Sequence, residues 1–177
     1  DRDELEMVMG APKNKAYGWC YKFATLTVVG ENVKFTLAMT PVRAGYHVGR
    51  VVRELIWKAR EHVSISTVYA DREFCSVDTI RSFEEAGLDY VIPSPKNRRV
   101  KREIERMDRD VKVLNGYTMH GPVIGGSTNA AESTNMILLP STKDDSRTVA
   151  FMTNKEVDDE ISIDRREAKG IVNRYSR

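Results

Sequence analysis

Asp71 is the residue whose type and place are best suited to chemistry. It closes the short apolar run SISTVYA (64–70), which reads as a buried strand. Open α/β sheets gather ligand and catalytic groups at the carboxyl ends of such strands. A carboxylate there needs water, a partner or a metal ion, because an unpaired buried charge is costly. Arg72 follows directly, either as a phosphate contact or as a solvated side chain. The plainer alternative for Asp71 is a cap on the turn that follows, a frequent use of an isolated Asp.

Other reactive residue types lack a matching arrangement. His47, His62 and His120 have no metal-ligand spacing with one another or with Cys20 and Cys75, so they read as surface or core histidines. Cys75 lies beside Asp71, but the sequence supplies no base to activate it. The glycine-rich stretch HGPVIGGSTN (120–129) lacks the Gly-Lys-Ser/Thr ending of a phosphate-cradling loop, and a hairpin loop explains it. Trp19 and Trp57 each lie in an apolar-periodic segment, which favours core packing over base stacking.

Charge is unevenly spread. From Lys96 to Lys112 eight bases (Lys96, Arg98, Arg99, Lys101, Arg102, Arg106, Arg109 and Lys112) stand against four acids. From Asp144 to Glu167 eight acids stand against four bases. The basic block suits a stripe that contacts phosphates, or a solvated helix face. Glu103 and Glu105 fit intrahelical pairing with Arg99, Lys101 and Arg109. Asp108 and Asp110 lie in the same block.

The elements that must position these residues follow from periodicity. Residues 17–29 and 33–39 read as a hairpin around Gly30-Glu31-Asn32, and Pro41 to Gly45 breaks the pattern. Val48, Val51, Val52, Leu55, Ile56 and Ala59 make a helical stripe ending near Glu61. Ser76 suits the N-cap of a helix through Ala86, with Gly87 as its stop. DYVIP (89–93) is a further strand, closed by Pro93-Ser94-Pro95. Strands are expected over 111–119, 134–139 and 148–153, and a last helix from about Asp164 carries Ala168, Ile171, Val172 and Tyr175. The expected organisation is an α/β core over 1–107, a β-rich insertion over 108–160 and a returning core helix over 161–177.

Length and composition set the outer bounds. A chain of 177 residues fits one domain that buries roughly 70% of its extended surface. No stretch reaches the ~20 apolar residues of a membrane span, so no membrane partner is expected. The polar start, Asp1-Arg2-Asp3-Glu4, does not resemble a secretory signal, and there is no CxxC pair. A cytoplasmic protein is the default expectation.

The run YADREFCSVDTIRSFEEAGLDYVIPSPKN (69–97) resembles the region around the second catalytic aspartate of DDE transposases of the insertion-sequence type. In that family an apolar strand ends in Asp-Arg-x-Phe, matched by Asp71, Arg72 and Phe74, and a later strand reads Tyr-Val-Ile-Pro. The hairpin with KFTLAMTPV (34–42), leading into a helix, is similar to the stretch between the family's first and second aspartates. Asn173 to Arg177 looks like the start of the motif Tyr-x2-Arg-x3-Glu, with Tyr175 as its Tyr.

The resemblance implies an α/β, RNase H-like fold with a mixed sheet. It further implies a polynucleotidyl transferase that cleaves and joins DNA strands with Mg2+ or Mn2+ held by three carboxylates. Asp71 would be a catalytic metal ligand. Arg72, Lys96, Arg98, Arg99, Lys101, Arg102 and Tyr175 would face DNA, at transposon ends and target, and a homodimer is compatible with that work. Two departures concern catalysis. The hairpin strands hold no Asp, leaving Asp1 and Asp3 as candidates for the first aspartate only by default, since no apolar strand carries them, and no Glu follows Tyr175. The chain alone is therefore expected to be an inactive fragment. The alternative is an RNase H-like remnant that binds nucleic acid or a partner without catalysis.

Overall fold

The computed structural model describes residues 7–11, 16–29, 33–108, 111–122, 129–141, 144 and 147–156. The chain divides into two compact units, Asp1–Ile65 and Ser66–Arg177. The helix expected from Asp164, with Tyr175, lies outside the described residues, as do Asp1, Asp3, Arg109 and Asp110.

In the first unit, β1 (Val8–Gly10), β2 (Trp19–Val29) and β3 (Lys34–Val42) form an antiparallel sheet in that order. The sequence reading missed β1, because three residues are too few for periodicity to register. Pairing with β2 sustains it, with Val8 opposite Tyr21 and Gly10 opposite Trp19. The strand β3 runs on through Pro41, which pairs with Phe23. Here β3 is the sheet's edge, where proline's missing N–H interrupts the least of the ladder.

Packed on β2 and β3 is α1 (Val48–Arg60). Apart from the half-buried Val48, its expected stripe is buried, together with Gly49, and beneath it lie the small residues Ala24 and Ala38. The large residues of β2 alternate to the other face, so Trp19 is 71% exposed and Tyr21 and Phe23 are exposed beside it. Trp57 stands on the outer side of α1 and is 66% exposed. Neither tryptophan is a core residue, contrary to expectation. Apolar periodicity located the elements, but a tryptophan inside a periodic segment need not lie on the covered side.

Glu54 ties α1 to β3. Its Oε1 accepts hydrogen bonds from Thr40 Oγ1 at 2.6 Å and from Lys58 Nζ at 2.8 Å. The Lys58 bond, then the Thr40 bond, hold the Glu54 carboxyl below its ordinary value of 4.5. A carboxyl with a lowered folded pKa stabilises the fold above its unfolded pKa, and that contribution fades as pH falls through the folded value. Chemical denaturation from about pH 6 down to about pH 3 should therefore show falling stability. Glu54→Gln should flatten part of that fall, and an unchanged slope would remove Glu54 as its source.

In the second unit one mixed sheet runs β4 (Thr67–Tyr69), β5 (Asp89–Pro93), β8 (Thr148–Thr153), β7 (Asn129–Pro140) and β6 (Lys112–Pro122). Only β4 and β5 are parallel. The strands of the expected insertion thus continue the sheet begun by β4 and β5, with β8 bonded to β5. Central strands of such a sheet are buried on both faces, and Tyr90, Val91 and Ile92 of β5 and Met136 to Leu139 of β7 are inaccessible. Val91, Ile137, Leu139 and Phe151 form one cluster. The helix α2 (Val77–Glu85) packs on β5, β6 and β7 through Val77, Ile80 and Phe83, and Arg81 binds Glu132 of β7.

The ladder of β6 and β7 carries a one-residue bulge where Asn115 and Gly116 oppose Asn135. Gly116 takes a positive φ of 65°, a backbone shape that costs glycine nothing. Its N–H donates to Asn135 Oδ1 at 3.1 Å. The third helix, α3 (Arg98–Glu105), lies between β5 and β6 in sequence.

Candidate functional site

The parallel pair β4 and β5 delivers Asp71 to where the strands end. Ala70 N–H donates to Val91 O at 3.2 Å, and the chain then leaves the sheet. Asp71 is exposed, so its charge keeps its water. Its Oδ1 accepts from the N–H of Arg72 at 2.5 Å, capping a 3-10 turn over Arg72–Phe74. Asp71 therefore caps the next turn from the carboxyl end of a strand, as the plainer reading expected. Arg72 is exposed beside it.

The turn leads straight into α2. Ser76 is its N-cap, accepting from Thr79 N–H at 3.2 Å, and Gly87 ends it with a φ of +61°. Just before Ser76, Cys75 is half-buried, and burial pushes its thiol up to about 11, against the lowering effect of a hydrogen bond with Ser94. A thiol so protonated is a poor nucleophile, as expected from its lack of a base.

Five of the expected DNA contacts lie on or just before α3. Asn97 caps it, its Oδ1 accepting from Arg99 N–H and Val100 N–H at 3.0 Å each. Val100 is fully buried and anchors the helix, while Lys96, Arg98, Arg99, Lys101 and Arg102 are exposed. Arg98, Lys101, Arg102 and Glu105 share one face at spacings of three and four and line an open recess of about 420 Å³. Arg98, Lys101 and Arg102 make no ion pair among the described residues. The expected pairing is corrected at Glu103, which bonds Lys112 at 3.1 Å and Arg106 at 3.5 Å. The side chain of Lys112 lies on β6, a strand the helical spacing rule does not see, and it bonds Glu103, while Glu105 shares the α3 ridge with Arg98, Lys101 and Arg102.

Among the described residues no three His, Cys, Asp or Glu side chains come together. Asp71 offers a hard oxygen of the kind magnesium prefers, but a two-ion centre needs more carboxylates than the described residues bring to it. The described residues alone do not fit such a centre. His47, His62 and His120 are exposed and scattered over the N-cap of α1, the segment after that helix and β6. The sequence reading also passed over Tyr46, Arg50 and Arg53 around α1, whose signal was a recurrence of cations opposite the apolar stripe.

The family model described as "Transposase DDE domain" matches residues 7–176 of this chain. The chain belongs to that family. A comparison of folds finds a likeness to a chain in the cryo-EM structure of the piggyBac transposase synaptic complex with hairpin DNA. The TM-score is 0.59 at 17% identity, covering 97% of this chain and 34% of that one. This chain thus spans about a third of that protein's length. The likeness supports the RNase H-like α/β fold expected of a DDE domain. None of the curated proteins matches the chain. No described helix is long and apolar enough to cross a membrane.

Proposed function

We propose that this chain is the DNA-docking part of a transposase catalytic domain. The exposed ridge of α3 holds duplex DNA by its phosphates, and Asp71 is one carboxylate of the catalytic centre. The observation that carries this reading is the set of cations Arg98, Lys101 and Arg102, presented on one face without ion pairs among the described residues. Lys96 and Arg99 add charge on and just before α3, and Arg72 sits next to Asp71. The chemistry proposed for the domain is cleavage of a DNA phosphodiester and transfer of the freed 3′-hydroxyl. A bound Mg2+ or Mn2+ would supply Lewis acidity at the phosphate. Membership of the DDE family and the piggyBac likeness support DNA, as transposon ends and target, over a partner-binding remnant.

Two measurements test this. Duplex binding followed by anisotropy should weaken with salt, and Lys101→Ala with Arg102→Ala should lower the slope of log K against log salt by about 1.8, or ~0.9 per phosphate contact. An unchanged slope would return the ridge to a solvated face. Supercoiled plasmid incubated with the chain and Mn2+ should stay intact, since the described residues bring too few carboxylates together. Nicking that vanishes in Asp71→Ala would show that the chain carries a complete centre.

A further inference from the structure

The outer side of α1 has a composition that packing does not explain. Arg50, Arg53, Trp57 and Arg60 recur at spacings of three and four, all exposed, directly opposite the buried stripe of Val51, Val52, Leu55, Ile56 and Ala59. Single exposed apolar residues are common, and exposure of Trp57 alone would mean nothing. Its surroundings are what distinguish it. On a helix that rises 5.4 Å per turn, Arg53 stands one turn before the indole and Arg60 about one turn after.

Just before the helix, the Tyr46 ring lies 4.3 Å from the Arg50 guanidinium and 5.7 Å from that of Arg43, measured to the ring centroid. That contact holds Arg50 in place along the ridge. From Arg43 to Glu61 five cations stand against two acids, and one of those acids, Glu54, is already engaged by Lys58 and Thr40. Bases thus outnumber acids along this stretch, and the large exposed apolar group among the described residues of this helix is a flat indole.

We propose that this face of α1 binds single-stranded DNA, with Trp57 stacked on an unpaired base and Arg50 and Arg53 on the flanking phosphates. Charge complementarity selects a polyanion, and the indole selects one whose bases are open. Every base offers a π face, so a tryptophan between cations grips a strand without reading its sequence. In a duplex the bases stack on each other and Trp57 has nothing to meet. The α3 ridge differs in this respect, since it presents cations with no exposed aromatic among them. The two faces therefore take different forms of DNA, and this inference stands apart from the proposed use of α3.

The test uses the full chain carrying Trp19→Phe, which leaves Trp57 as its only tryptophan. Titration with a thymidine oligonucleotide should quench Trp57 emission, and a blunt duplex should quench it far less. Trp57→Ala should weaken oligonucleotide binding about tenfold. Arg50→Ala and Arg53→Ala should each lower its salt slope by about 0.7. Lys101→Ala with Arg102→Ala should leave the quenching in place, which keeps a failure of the α3 reading separate from a failure of this one. Circular dichroism checks that each variant is folded. Equal quenching by duplex, or unchanged affinity in folded Trp57→Ala, would overturn the proposal. So would a dimer that dissociates on Trp57→Ala, which would make this face a contact between copies.

Discussion

Replacing Arg98 and Arg102 by glutamate is expected to weaken duplex binding on the order of a thousandfold at 0.1 M salt, with the fold retained. A slope of ~0.9 per phosphate makes each lost contact worth about tenfold at that salt concentration. Alanine at both sites thus costs about a hundredfold at most. Glutamate adds repulsion between the new carboxylates and the same phosphates, on a face where Glu105 already sits nearby. The fold should survive because α3 is fixed elsewhere, by the buried Val100 and by the Asn97 cap. Glu103, bonded to Lys112, holds the helix to β6 and is left untouched. Anisotropy against one duplex at several salt concentrations gives both affinity and slope. A loss of affinity without a loss of slope would mean that the glutamates had damaged structure rather than charge contacts.

How much of this was legible beforehand depends on how local the cause was. The strand β5 matches the expected DYVIP because Gly87 and Pro93 punctuate it at both ends, and both signals act within a residue or two. The cap at Ser76 and the exposed carboxylate at Asp71 were readable for the same reason. Non-local causes were not. The strands β6 and β7 reach into the glycine-rich stretch as far as Pro122 and Asn129, because the antiparallel ladder carries His120 and Gly121 beyond what their own propensities would hold.

The tryptophans show a different limit. Apolar residues fall on both sides of β2, with Trp19, Tyr21 and Phe23 on one and Cys20 and Ala24 on the other. Alternation therefore could not tell which side a helix covers. The close approach of α1, with Gly49 and Ala59 in its buried stripe, selects the side with the small alanines. For the site, the basic run was visible as composition. That Glu103 pairs with Lys112, a strand residue nine positions away, is something no helical spacing could reveal.

Phe83→Ala should be the most damaging core substitution near Asp71, costing about 3–5 kcal/mol. The ring is 1% exposed and stacks on Tyr90 with centroids 5.6 Å apart and planes at 26°. Its loss opens a cavity between α2 and β5 in a place with little freedom to collapse. Tyr90 is pinned, its hydroxyl donating to Thr134 Oγ1 at 2.8 Å, and Thr134 in turn donating to Thr153 O at 3.1 Å. Tyr90→Phe keeps the stack and leaves Thr134 its bond to Thr153, so it should cost only about 1 kcal/mol. Thr134→Val strands the buried Tyr90 hydroxyl and should cost more, about 1–3 kcal/mol. Urea denaturation of the three variants gives the ranking, and a Phe83→Ala loss no larger than that of Tyr90→Phe would refute it. The effect should reach Asp71 as well. The turn that Asp71 caps runs through Cys75 into the Ser76 cap of α2, so a helix loosened from β5 loosens the carboxylate's footing. Hydrogen exchange at the Phe74 amide, which donates to Asp71 O at 2.9 Å, should accelerate in Phe83→Ala and stay near the parent rate in Tyr90→Phe.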